Sequence, residues 1–128
     1  MESSGMVIDT YIIIDFLRSK NKTNTEVYKI PDETIIHISA VSLYELLMGA
    51  TDEQKREDVR LITEDLIVLP FDDGVSVRAS EIYHTLRKSN LMIEFRDIFI
   101  AATCLTFNLP IKTRNRKHFT RISNLQFC

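Results

Sequence analysis

Three carboxylates stand at the borders of apolar stretches. Asp9 closes Met6-Val7-Ile8, Glu45 lies inside the run from Ser39 to Leu47, and Asp97 opens Ile98-Phe99-Ile100-Ala101-Ala102. A carboxylate among apolar neighbours is costly to desolvate unless something positive compensates it. Acids gathered from distant points of a chain suggest a divalent-metal site, and the chemistry that wants such a set is metal-assisted phosphodiester cleavage. Mg2+ takes oxygen ligands and keeps several waters, so few direct carboxylates are needed. The metal generates a hydroxide nucleophile and stabilises the in-line displacement. Each acid also has a simpler reading. Asp9 stands where an N-cap would satisfy free backbone N–H groups, and Asp97 in a first helical turn suits the helix dipole. Glu45 falls mid-helix among Leu43, Tyr44, Leu46 and Leu47, where a solvated face is narrow. Two further acids are open. Asp15 faces the site, pairs with Arg18 or is exposed, and Glu94 is either a fourth acid or a solvated loop residue.

The C-terminal stretch supplies the opposite charge. No acid occurs from Lys112 to Cys128, while Lys112, Arg114, Arg116, Lys117 and Arg121 crowd together with His118 among them. Phosphate contacts need such a patch; the alternatives are a solubilising edge or a dock for an acidic partner. The net charge is −2, so any polyanion site must be local. A metal-free ribonuclease would need paired histidines for proton transfer. Of the candidates, His37 lies in an apolar strand and His84 on an amphipathic helix, which leaves His118. Cys104 and Cys128 have no metal-type spacing. Cys104 reads as a small buried hydrophobe, and this cysteine usage fits a reducing, cytoplasmic setting. Residues 1–5 lack signal-peptide character and read as a flexible extension or a cloning remnant ahead of Met6. No apolar run approaches the roughly 18–20 residues that span a bilayer.

The elements that must position these residues follow from length and periodicity. A chain of 128 residues, 45% of them apolar, fits one domain over 6–128. Short apolar runs predict strands at 6–8, 34–38, 66–69 and 109–113, with a fifth at 125–127. Helical spacing predicts helices over 11–18, 40–50, 52–65, 72–87 and 97–107, a short one over 23–30, and a turn or helix over 115–119. Residues 89–96 read as a loop. Alternating strands and helices, with apolar rather than period-two strands, predict an α/β fold with a parallel sheet covered on both faces. Ligands in such sheets bind beyond the carboxyl ends of the strands, where Asp9, Glu45 and Asn115 would share a rim with Asp97.

Taken in order, these stretches resemble the PIN-domain family, and within it the VapC-like toxin ribonucleases of toxin–antitoxin pairs. The matching pieces are Val7-Ile8-Asp9-Thr10, Ile12–Arg18, Ile38-Ser39 through Glu45-Leu46 to Gly49-Ala50, Val68–Phe71, Asp97–Thr103, and Thr113-Arg114-Asn115 with Phe119. The resemblance implies a three-layer α/β/α sandwich around a short parallel sheet and a Mg2+-dependent endoribonuclease, with Mn2+ able to substitute. It carries the catalytic and metal-binding roles to Asp9, Glu45 and Asp97, and site-lining roles to Thr10, Thr113 and Asn115. Arg114, Arg116 and Lys117 would then bind RNA phosphate. It further implies a homodimer silenced by a VapB-like antitoxin. Two positions depart from the family pattern. Tyr11 replaces an Asn common after Asp-Thr, and His118 stands where many relatives carry a fourth acid. Three carboxylates plus Asn115 would still suit one Mg2+, with His118 either contacting phosphate or a neutral surface residue. A catalytically degenerate domain that binds RNA or protein without cutting is the alternative.

Overall fold

The computed structural model describes residues 5–128; the expected extension lies, but for Gly5, outside the described residues. Gly5 is buried and leads directly into the first strand. Four parallel strands form one sheet in the order β3-β2-β1-β4. They are β1 (Met6–Ile8), β2 (Ile36–Ser39), β3 (Ile67–Leu69) and β4 (Ile111–Lys112). β1 is central: Val7 is in register with His37 of β2 and Ile111 of β4. Six helices connect and cover the strands: α1 (Thr10–Arg18), α2 (Ala40–Gly49), α3 (Glu53–Glu64), α4 (Asp73–Lys88), α5 (Phe95–Thr106) and α6 (Arg116–Phe119).

The sheet is buried on both sides, as its apolar strands require. Successive strand residues point to opposite faces, and Val7 and Ile8 accordingly fall into different apolar clusters. Val7 packs with Val75, Leu86, Ile98, Ala101 and Phe119 under α4 and α5. Ile8 packs with Ile12, Ile13, Ile38, Leu46 and Val59 under α1, α2 and α3. This is the expected three-layer α/β/α sandwich.

Caps set the helix limits. Asp52 and Asp72 accept from the backbone N–H groups of Lys55 and Val75 and start α3 and α4. α4 and α5 end at Asn90 and Asn108, both in the left-handed region (φ 58° and 56°). The amides of Leu91 and Leu109 reach back to the carbonyls of Leu86 and Cys104, each at 2.9 Å, which is the Schellman pattern.

Several expected boundaries move. The short helix over 23–30 is instead a 3-10 turn at Lys22–Asn24 followed by turns. There the Lys22 ammonium donates to the carbonyls of Phe16, Leu17 and Ser19 and fastens the chain to the end of α1. The fifth strand reduces to a single bridge between Ile111 and Phe127. α5 begins at Phe95 rather than Asp97, which places Arg96 inside the helix and out of the expected loop.

Candidate active site

Each of the three carboxylates is set by a different junction. Asp9 follows β1 and is the N-cap of α1, its Oδ1 accepting from the Thr10 amide at 2.8 Å. Its own amide donates to the Lys112 carbonyl at 2.9 Å, so β4 fixes the backbone from the other side. Glu45 lies in the second turn of α2, which starts at the Ser39 cap where β2 ends. Asp97 is in the first turn of α5 and is fully buried (0% exposed); Asp9 is 1% exposed. Asp9 is thus the N-cap that the simpler reading expected, and capping engages only Oδ1 while Oδ2 turns toward Thr113 on the rim.

The positive charge that compensates them is Arg96. Its Nε donates to Glu45 Oε2 at 2.6 Å and its Nη2 to Glu45 Oε1 at 2.9 Å. Nη2 also reaches Asp9 Oδ1 at 3.1 Å and the Thr10 hydroxyl at 3.2 Å, and Nη1 donates to Asp97 Oδ1. One planar guanidinium thus lies among all three acids. A fork of donors at fixed angles is what makes Arg suited to this role. Burial pushes the Glu45 carboxyl up, but the hydrogen bonds from Arg96 and Thr10 and the Arg96 charge outweigh it and hold Glu45 below its ordinary value. Burial pulls Arg96 down, but the bonds and charges of Glu45 and Asp9 prevail and raise it.

Hydroxyls complete the arrangement. Thr10 donates to Glu45 Oε1 at 2.6 Å and lies 2.8 Å from Ser42 Oγ, which in turn is 3.2 Å from Ser39 Oγ. Thr113, just past β4, donates to Asp9 Oδ2 at 2.9 Å and accepts from the Asn115 amide at 2.9 Å. His118 Nδ1 is 3.1 Å from Asp97 Oδ2 and 3.0 Å from Asn115 Nδ2. The sequence offered His118 as a phosphate contact or a neutral surface residue. It is half-buried against Asp97, because the single turn of α6 points it back across the rim.

The other candidates separate. Asp15 faces the groove beside Asp9 but pairs with Arg114 at 3.5 Å. Glu94 is exposed and makes no side-chain cap bond at the head of α5. Arg114, Arg116 and Lys117 are exposed beside the rim, with Arg116 stacked 4.3 Å over the Phe127 ring. Arg121 is drawn off to the carbonyls of Leu91 and Met92. An open groove lined by Asp9, Tyr11, Asp15, Arg18, Arg114 and Asn115 reaches the rim at Asp9. His37 bonds the Met6 carbonyl and His84 meets Tyr83 edge to face, so neither joins His118.

Near the centre stand the oxygens of three carboxylates, the Thr113 hydroxyl and the Asn115 amide, with the His118 ring nitrogen against Asp97. In kind this fits a hard divalent ion. Among the described residues no group of three or more His, Cys, Asp and Glu forms a ready metal cage; a guanidinium lies between the carboxylates instead. Arg96 is the residue that sequence reasoning missed. Its signal was present, as a lone cation directly before the most buried acid.

Comparison with known proteins gives the family. The PIN domain family model matches residues 6–125. The chain is 33% identical over 129 residues to "Ribonuclease VapC" of Rickettsia bellii, covering 95% of this chain and 93% of that protein. It is 27% identical over 121 residues to "Ribonuclease VapC1" of Methanocaldococcus jannaschii, covering 94% and 83%. Among solved structures, VapBC-1 from nontypeable Haemophilus influenzae superposes with a TM-score of 0.83 at 28% identity, over 97% of this chain and 96% of that one. VapBC2 from Rickettsia felis, bound to a promoter DNA fragment, shares the fold with a TM-score of 0.85 at 23% identity, over 97% of each chain. With its parallel sheet, its three rim carboxylates and these matches along nearly its whole length, the chain belongs to the PIN-domain family, in its VapC-like group.

Proposed function

We propose that this protein is a Mg2+-dependent endoribonuclease, the toxin of a VapBC-like toxin–antitoxin pair, built as one PIN domain over 6–128. The observation that carries the reading is the convergence of Asp9, Glu45 and Asp97 from three separate elements onto one cationic centre. A ribonuclease activity agrees with the names of the relatives, and an antitoxin partner with the complexes formed by the structural neighbours. Among the described residues no helix is long and apolar enough to cross a membrane, which fits the cytoplasmic setting we assign. A homodimer completes the proposal.

In this reading Asp9, Glu45 and Asp97 hold the ion, with Thr113 and Asn115 beside it. A bound Mg2+ would supply an activated water and charge stabilisation at the scissile phosphate. The chain's own residues do the rest. Thr113 fixes one oxygen of Asp9, Thr10 fixes one oxygen of Glu45, and the exposed Arg114, Arg116 and Lys117 draw the RNA backbone to the groove. Buried apolar neighbours on both sides of the sheet keep the carboxylates from relaxing into water.

The test is RNA cleavage by purified protein. Activity with Mg2+ or Mn2+, loss in chelator and loss in Asp97→Asn are expected; undiminished cleavage in excess chelator would overturn the metal mechanism. His118 at the place of a fourth acid favours one second reading, a degenerate domain that binds RNA or a partner without cutting. Retained RNA binding together with no cleavage under any divalent ion would select it.

A further inference from the structure

We propose that Arg96 is a built-in stand-in for the metal: it closes the acid cluster in the metal-free protein and leaves Asp9 and Asp97 when a divalent ion enters. The inference rests on the reading of that cluster as a metal site. Its ground is the accounting of lone pairs. Asp9 Oδ1 and Asp97 Oδ1 are taken by Arg96, Asp9 Oδ2 by Thr113, and Asp97 Oδ2 by His118. Both Glu45 oxygens are taken as well, by Arg96 and Thr10. All six oxygens accept at least one donor, and Asp9 Oδ1 and Glu45 Oε1 accept two, so an ion entering here must share these oxygens with Arg96, whereas the neutral hydroxyls have no charge conflict with it.

Arg96 does have that conflict. Three carboxylates face one guanidinium, so on formal charge the cluster is short of positive charge and a divalent ion answers it better. Two cations packed among the same oxygens would repel at short range. The side chain also has somewhere to go. It is 17% exposed, and its guanidinium already lies 5.3 Å from the centre of the Tyr11 ring, which is itself exposed toward the groove. An aromatic face is a favourable resting place for a guanidinium. Tyr11, where the family pattern commonly has Asn, therefore gains a use: it receives Arg96 once Asp9 and Asp97 turn to the ion. Arg96 is a positioning residue in this scheme. It keeps the rim acids in place before loading and sets how readily they accept the ion.

The experiment is a Mn2+ titration of the full chain followed by electron paramagnetic resonance, on wild type, Arg96→Gln and Arg96→Lys. Arg96→Gln should bind Mn2+ about tenfold more tightly, because the competing internal cation is gone. Arg96→Lys, charged but unable to fork across three carboxylates, should fall between. Unchanged or weaker binding by both variants would overturn the proposal, since a merely structural Arg would loosen the site when removed. Binding to neither wild type nor variants would overturn the metal reading itself, and this inference with it. Should Arg96→Gln fail to fold, wild type alone decides. The Arg96 Nε–H resonance, assigned by its loss in Arg96→Lys, should move on addition of Mg2+, and a resonance fixed at saturating Mg2+ would refute the exchange.

Discussion

Among the described residues two arginines bridge several carboxylates, and they do so at opposite extremes. Arg60 on α3 reaches Glu57 and Glu64 of the same helix turn and the next, at i−3 and i+4, with all three side chains about half exposed. Arg96 reaches Asp9, Glu45 and Asp97, of which two come from α1 and α2, far away in sequence, and the two aspartates are buried. The first group is local, screened and replaceable; exposed ion pairs contribute little. The second was assembled by the whole fold in a place where unpaired charge is expensive. Buried charge kept at that cost points to function rather than to stability, which is why only one of these clusters is a candidate site.

Substitutions should separate the two clusters. The largest effect belongs to Asp97→Asn, for which RNA cleavage should fall more than about 100-fold, since even an outer-shell partner of a metal costs ten- to hundredfold. Asp58→Asn, a carboxylate on the exposed helix α3, should leave cleavage at the wild-type rate in the same gel assay. Next comes stability without metal. In chelator, Arg96→Ala should lose about 3–5 kcal/mol in urea unfolding, because three acids lose their shared partner, whereas Arg60→Ala should unfold at the wild-type midpoint. Equal losses would erase the distinction drawn here.

Thr113→Val should lower cleavage by about tenfold with a near-normal melting temperature, by freeing one oxygen of Asp9. The pH response is smaller. The folded value of Glu45 lies below its ordinary one, so its contribution to stability is present above the ordinary carboxylate range and is lost as pH falls through the depressed value. Metal-free Glu45→Gln should therefore show a flatter acid limb in unfolding midpoints against pH; an unchanged limb would contradict the assignment. Smallest is Arg114→Ala, expected to weaken RNA binding uniformly and reduce the salt slope by about 0.7, the share of one phosphate contact on a single strand.

Much of this was legible in the chain. Runs such as Met6–Ile8 and Ile98–Ala102 can only be buried, so the parallel sheet and its two helical layers follow from them. The three carboxylates were visible because each interrupts such a run. What escaped was decided by tertiary contact. The segment after α1 has helical composition, yet Lys22 ties it into a turn by bonding three carbonyls of the preceding helix end. The start of α5 was placed two residues late, because Phe95 and Arg96 precede the apolar run whose period marks the helix. That small error hid Arg96, since a cation in a loop and a cation in a first helical turn aim at different places. The direction of His118 was not legible for a similar reason, as it depends on a single turn of helix that periodicity cannot resolve.

The order of the strands has a consequence for the protein's own synthesis. Among the described strands β1 is made first and β4 last, yet they are neighbours in the sheet, and Asp9 receives its backbone partner from Lys112 and its hydroxyl partner from Thr113. A growing chain therefore carries Asp9 and Glu45 out of the ribosome well before Asp97 exists, and before the segment that orients Asp9 has been added. The rim closes only when the chain through Thr113 has emerged, so on the proposed function a nascent copy lacks a complete acid rim until that segment is made.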